Sequence, residues 1–162
     1  MKFIAIGSNI SGPWGTPEQA VARALAALNG DGLKLVRASR LMITAPFGKP
    51  NQPDFVNAVA AIETHLPPLA LLQKLHAIEK QAGRRRGLRW GPRTLDLDII
   101  DYEGLVRPRP NTLILPHPGI AARIFVLQPI AEITPQWRHP VSHKSAADML
   151  RRLKGFQQGR EV

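Results

Sequence analysis

The sequence predicts an α+β fold, an antiparallel sheet with helices packed on one side, and three observations predict it. Apolar stretches of strand length alternate with two stripes of helical period in the order βαββαβ. Gly, Pro or Asn punctuates the junctions between them. The chain of 162 residues is 44% hydrophobic and 21% charged, enough apolar surface for a sizeable core and far from the composition of a disordered basic tail. Such a length suits one domain, and no repeat or linker divides it, so residues 1–162 are expected to form a single domain.

Phe3 to Ile6 is a short apolar run stopped at Gly7, as a buried first strand would be. Thr16, Pro17 and Gln19 form the pattern of a capping box with Pro at the first helical position, and Ala20, Val21, Ala24, Leu25 and Leu28 follow at helical spacing up to Asn29-Gly30. Leu33 to Ile43 reads as one strand-like stretch, and Thr44 to Asp54, with three Pro and a Gly, must be a loop. Phe55 to Glu63 is a strand by its Phe, Val and Ile content, closed by Pro67-Pro68. Leu71, Leu72, Leu75 and Ile78 then stripe a helix from Leu69 to Gln81 that ends at Gly83. After a Gly- and Pro-containing loop, alternation places Thr94, Asp96 and Asp98 on one face of a strand and Leu95, Leu97 and Ile99 on the other. The order βαββαβ is the ferredoxin-like arrangement. Further helices are expected over Ile120 to Ala131 and Ala146 to Leu153, with a polar, fraying end after Gly155.

Charge and missing residue types narrow the chemistry. Twenty-two Lys and Arg against 12 Asp and Glu leave a formal charge of +10, which calls for nucleic acid, an anionic membrane or a polyanionic small substrate. There is no Cys, so disulfides, thiolate metal sites and cysteine nucleophiles are excluded. The five His show no HExxH spacing. The first residues, with an apolar run broken by Gly7, Ser8 and Asn9, are too short for a secretion signal or a membrane span, and the chain is expected to be cytoplasmic.

Asp96 and Asp98 carry the sharpest signal. At about 3.3 Å per residue their Cα atoms stand roughly 6.6 Å apart on one strand face, so both carboxylates project into one volume. They could be solvated or paired with nearby arginines. Arg84, Arg85, Arg86, Arg89 and Arg93 crowd the ten residues leading into the pair. Two hard-cation ligands beside several bidentate phosphate binders suggest a magnesium–polyphosphate site, where the metal reconciles carboxylates with phosphates. Trp90 in the same loop could cover a ring or anchor the loop. His117 after Leu113 to Leu115 is a structural imidazole or a ligand, Arg123 a surface charge or a phosphate contact, and Asn57, polar inside an apolar strand, needs a partner. Gly7-Ser8-Asn9 fits neither a P-loop nor GxGxxG and reads as a sharp turn.

These motifs, IAIGSN from Ile4, TAPFG, QPDFVNA, RWGPRTLDLDI, LPHP and Arg123-Ile124-Phe125, closely resemble the 6-hydroxymethyl-7,8-dihydropterin pyrophosphokinase family over roughly residues 3 to 140. The resemblance implies a ferredoxin-like monomer that transfers the β,γ-pyrophosphoryl group of ATP to the pterin hydroxymethyl and releases AMP, in tetrahydrofolate biosynthesis. It implies that Asp96 and Asp98 hold two magnesium ions and that Arg84 and Arg93 contact phosphates and support the reaction. Arg86, Arg89 and Trp90 match a mobile lid over ATP and pterin, and His117 and Arg123 match triphosphate contacts. Leu72, His76, Glu79 and Ile99 fall where the family holds the nucleotide. Thr44, Ala45, Phe47, Phe55, Asn57 and Phe125 match the pterin pocket, to which Arg89, Trp90 and Asp96 also contribute. Departures from the family pattern are Phe55 for Tyr, His76 for Gln, Thr112 for Arg and Pro118 for Tyr, with a lid loop one residue shorter and an unusual Gly12 to Gly15 segment. A basic RNA-binding module on the same fold is disfavoured, because aromatics make only 6% of the chain and no RNP-like motif lies on the strands. A non-catalytic pterin or nucleotide sensor would have no need of both aspartates. The expected partners are the two small substrates, without nucleic acid or membrane.

Overall fold

The computed structural model describes residues 1–45, 53–84 and 93–161. Its main sheet is antiparallel, in the order β2-β4-β1-β5, built from β1 (Lys2–Ser8), β2 (Leu33–Ala38), β4 (Phe55–Thr64) and β5 (Asp96–Tyr102). A short β3 (Met42–Thr44) pairs with β4 on the edge that β2 also occupies. Helices α1 (Pro17–Ala27) and α2 (Pro68–Gln81) complete the predicted βαββαβ core. The capping box at α1 forms as expected: the Thr16 backbone N–H donates to Gln19 Oε1 at 2.9 Å, and the Gln19 N–H to Thr16 Oγ1 at 3.3 Å.

The stretch from Leu33 to Ile43 is two strands rather than one. Ser39 interrupts it because its Oγ accepts the Val59 N–H at 2.9 Å while its own N–H donates to Val59 O at 2.9 Å, drawing a buried hydroxyl into the ladder. Similarly, Ile120 to Ala131 is not one helix. A 3-10 turn (Ile120–Ala122) and α3 (Ile124–Ile133) are separated by Arg123 in extended conformation (φ −117°, ψ 100°). Beyond the βαββαβ core, β6 (Arg107–Arg109) and β7 (Leu113–Leu115) pair as a two-stranded antiparallel ribbon. Helix α4 (Ala146–Glu161) runs past Gly155, in keeping with the helix-forming Gln, Arg and Glu in that stretch. β5 opens at Asp96, so Thr94 lies before the strand.

Both faces of the sheet are covered, but differently. Ile4, Ile6, Ala58, Ile62, Leu97 and Ile99 meet Val21, Ala24, Leu71 and Leu75 of α1 and α2, as strand alternation predicts. On the opposite face Phe3, Val59, Ala61 and Ile100 pack under Leu127, Ile130, Trp137 and Met149, so the C-terminal helices form a second layer that the βαββαβ pattern does not include. That layer covers only one end of its face. At the other end the residues facing out are Ala5 and Gly7 of β1, Phe55 and Asn57 of β4, and Asp96 and Asp98 of β5.

Candidate active site

The uncovered end of the sheet is an open cavity of about 300 Å³. Its floor follows from strand register. Gly7 pairs with Asn57 on one side and Asp96 on the other, and Ala5 stands between Val59 and Asp98. The central strand therefore carries almost no side chain between Asn57 and the carboxylates, leaving a trough across the sheet. A Cβ at Gly7 would lie 3.1 Å from Asn57 Oδ1 and 3.6 Å from the Phe55 ring. The alternation Phe3, Ala5, Gly7 tapers from a core residue to a binding floor, a signal present in the sequence whose functional meaning needs the neighbouring strands.

Asp96 and Asp98 both line this cavity, half-buried. Asp96 is gripped on both oxygens: Arg84 Nη1 donates to Oδ1, and Arg93 Nη1 to Oδ2 at 2.9 Å. Asp98 is differently placed. Burial, and then the Asp96 charge beside it, push its carboxyl up to about 7, with Arg123 and Arg93 pulling in the opposite direction. A carboxylate pair that resists its second negative charge is one that a bound cation would relieve. Among the described residues no group of three or more acidic, His or Cys side chains forms a protein-only metal cage. Two aspartate oxygens facing a cavity suit magnesium, which commonly takes one or two carboxylates and completes its shell with water and substrate phosphates.

Arg84 also donates to Glu79 Oε2 at 2.6 Å, an oxygen that accepts the Leu97 N–H at 2.8 Å as well. Glu79 is almost wholly buried, so it fixes the end of α2 against the start of β5 and sets where Arg84 leaves the helix. Desolvation lowers the Arg84 pKa, but Asp96 and Glu79 outweigh it and raise the net value, so the guanidinium stays charged.

Opposite the aspartates stand His117 and Arg123. The His117 backbone N–H donates to Ile100 O at 2.9 Å, anchoring the segment after β7 to the edge of β5. His117 Nδ1 accepts the Gly119 N–H at 2.9 Å, which leaves Nε2 as the protonated nitrogen of the neutral ring. Burial, then the Arg123 guanidinium, hold the imidazole down at about 4 against the opposing pull of Asp96. The ring is thus a neutral donor at physiological pH. Gly119 is the residue that permits this packing: a Cβ there would sit 2.7 Å from Arg123 Nε and 3.2 Å from His117 Cε1.

At the far end of the trough, Asn57 Nδ2 donates to Thr44 Oγ1 at 2.6 Å, which supplies the partner its buried position demands. Thr44, Ala45, Phe55 and Phe125 line the walls around it. The cavity thus brings together Thr44, Ala45, Phe55, Asn57, Arg93, Asp96, Asp98, His117, Arg123 and Phe125. Leu72, His76 and Glu79 lie on α2, and Ile99 faces the α1–α2 layer, so these four are not in its lining. Phe47, Arg86, Arg89 and Trp90 fall outside the described residues. Thr112 accepts a hydrogen bond from Arg107 Nη1 at 2.8 Å, and Pro118 is exposed. Gly7 and Ser8 lie within β1 and not in the sharp turn expected of Gly7-Ser8-Asn9, and Ala5, Gly7 and Gly119 contribute to the cavity by how little side chain they carry.

On one ferredoxin-like sheet the cavity sets paired carboxylates and guanidinium groups beside an amide and two aromatic rings, a lining suited to a polyphosphate next to a planar ring. Residues 3–135 match the family model for 7,8-dihydro-6-hydroxymethylpterin-pyrophosphokinase (HPPK), and the chain belongs to that family. It is 45% identical over 139 residues to a 2-amino-4-hydroxy-6-hydroxymethyldihydropteridine pyrophosphokinase of Pseudomonas aeruginosa, covering 85% of this chain and 83% of that one. The namesake of Bacillus subtilis is 40% identical over 139 residues, 84% and 79% of the two chains. The Folic acid synthesis protein fol1 of Schizosaccharomyces pombe is 35% identical over 154 residues, 94% of this chain but 20% of that larger protein. A solved structure described as HPPK-DHPS in complex with substrates superposes with a TM-score of 0.70 over 99% of this chain and 45% of its own, at 13% identity, which speaks for the fold. The chain is a pyrophosphokinase, transferring pyrophosphate from ATP to hydroxymethyldihydropterin in folate biosynthesis. No helix among the described residues is long and apolar enough to cross a membrane.

Proposed function

We propose that the trough is where this transfer occurs, with the triphosphate over Asp96, Asp98, Arg93, His117 and Arg123 and the pterin between Asn57, Phe55 and Phe125. The observation that carries the reading is the register row Asn57–Gly7–Asp96, which sets an amide and a carboxylate on either side of a residue with no side chain. Asn57 Oδ1, beside Gly7, accepts from the pterin's N–H edge while Thr44 fixes the amide. Phe55 and Phe125 supply ring faces, so the Phe at position 55 retains the stacking surface without a hydroxyl. Asp96 and Asp98 would hold magnesium, two ions in this reading, which would supply charge neutralisation at the phosphates and a site for the attacking hydroxyl. Arg93 and Arg84, released from Asp96, turn to the phosphate oxygens, Arg84 staying tethered through Glu79. His117 donates from Nε2 to a phosphate oxygen without adding a positive charge, and Arg123 adds a charged donor beside it. The family resemblance assigns Leu72, His76, Glu79 and Ile99 to the nucleotide and Phe47 to the pterin, and it matches Arg86, Arg89 and Trp90 to a lid over both ligands. We further propose that residues 1–162 act as one domain, as a monomer in the cytoplasm.

With ATP, Mg²⁺ and 6-hydroxymethyl-7,8-dihydropterin, AMP should appear in proportion to pterin consumed, and chelation should stop it. Product analysis by ³¹P NMR checks this; ADP in place of AMP would sink the reading. Gly119→Ala should raise KM for ATP on the order of tenfold while leaving KM for the pterin nearly unchanged, because it displaces Arg123 and His117 together. Steady-state kinetics with each substrate varied would separate the two effects.

A further inference from the structure

Asn9 is a buried polar side chain that the reaction does not use. It is 2% exposed and directly follows β1. Its backbone N–H donates to Arg93 O at 3.0 Å, its Oδ1 accepts the Arg93 N–H at 2.7 Å, and its Nδ2 donates to Pro53 O at 3.1 Å. A turn asparagine satisfies its amide within a few residues of itself. The side-chain bonds of Asn9 instead reach 84 and 44 residues along the chain. Its two ends serve different halves of the cavity. Arg93 grips Asp96 at 2.9 Å, and Pro53 stands two residues before Phe55, the first residue of β4 and a wall of the pterin end. Buried amide groups bonded to backbone on both sides are costly to leave half-satisfied, so a displacement of one segment is resisted by the other.

We propose that Asn9 is a positioning residue that couples the two subsites, its side-chain amide locking the backbone of Arg93 on the phosphate side to that of Pro53 on the pterin side. This rests on the assignment of the subsites given above. Occupation of either subsite settles the segment on its own side of the amide and thereby the one across it. Coupling of this kind is reciprocal: each ligand tightens the other by the same factor.

Asn9→Asp separates the two ends. It keeps an acceptor for the Arg93 N–H and puts a carboxylate oxygen, with no hydrogen to give, against Pro53 O. Asn9→Ala removes both bonds. The experiment is titration calorimetry of the pterin substrate with and without a non-hydrolysable ATP analogue and Mg²⁺, and of the analogue with and without pterin. In the parent, each ligand should tighten the other by about fivefold or more. In Asn9→Asp that factor should fall toward one, with the analogue's own affinity in the absence of pterin held within about twofold; in Asn9→Ala it should fall as well. An undiminished factor in the variants, absence of coupling in the parent, or failure of both variants to fold would overturn the proposal, the last making Asn9 a determinant of the fold. Absence of any pterin or nucleotide binding by the parent would instead overturn the subsite assignment itself.

Discussion

Asp98→Asn is expected to abolish pyrophosphoryl transfer and, in metal-free protein above pH 7, to raise thermal stability. The two effects share one cause. Asp98 sits in the wall of the cavity, where burial and Asp96 push its carboxyl up to about 7. In the unfolded chain the same group ionises near 3.8, the ordinary value. A raised folded pKa means the fold favours the protonated form. Stability from this group is therefore complete below pH 4, declines as pH rises between about 4 and 7, and stays lost above 7. Asn mimics the protonated carboxyl and never charges, so the variant escapes that loss. Its gain over the parent should be absent at pH 4 and reach the order of a few kcal/mol at pH 8, a rise in Tm of several degrees. The loss of the charge that suits magnesium should cost turnover on the order of 10³-fold, several kcal/mol of transition-state stabilisation. Melting in chelator and AMP release in excess Mg²⁺ measure the two sides. Retained turnover would place the metal elsewhere; an unchanged melting temperature at pH 8 would show that Asp98 carries no burial penalty.

The parts of this site that were legible in the sequence are those with local causes. Alternation alone puts Asp96 and Asp98 on one face and Leu97 and Ile99 on the other, because side chains on a strand have period two wherever the strand lies. The capping box at Thr16 and Gln19 is equally local. What escaped has distant causes. Nothing near Ser39 announces that its hydroxyl will take the Val59 N–H and divide the edge strand. Nothing in the helical spacing of Ile120 to Ala131 marks Arg123 as the residue held in extended conformation, where its guanidinium lies over Gly119. Period-two patterns say that a strand has two faces, not which part of a face a later helix will cover. The cavity exists because the α3–α4 layer packs over Phe3, Val59, Ala61 and Ile100 and leaves the Gly7 row open, and that is a property of the assembled sheet. Asn9 is the sharpest case: its neighbours in sequence suggest a turn, while its partners lie in two other segments.

The His117 imidazole and the Asp98 carboxyl should nearly cancel in the pH dependence of stability, and single substitutions should expose each. His117 titrates near 6.5 when unfolded and at about 4 when folded, held down first by burial and then by Arg123. Between these values the unfolded chain carries a proton on this ring that the folded protein does not, so stability falls as pH drops from 6.5 to 4. Asp98 has the opposite sign over almost the same window: the folded protein carries a proton that the unfolded chain has lost, so stability falls as pH rises. Each contributes a slope of about 1.4 kcal/mol per pH unit, and the two oppose. His117→Asn keeps an acceptor for the Gly119 N–H and removes the titration. Relative to the parent, its stability should fall steadily as pH rises from 4.5 to 6.5, whereas that of Asp98→Asn should climb. Urea unfolding at half-unit pH steps in chelator gives both curves, and taking each as a difference from the parent cancels the other titrating groups. Parallel curves for the two variants would refute the opposition. Opposed slopes would show that the fold holds a neutral ring and a protonated acid across one cavity in metal-free protein. Cation binding would then have to displace only the acid's proton, leaving the neutral ring to donate from Nε2.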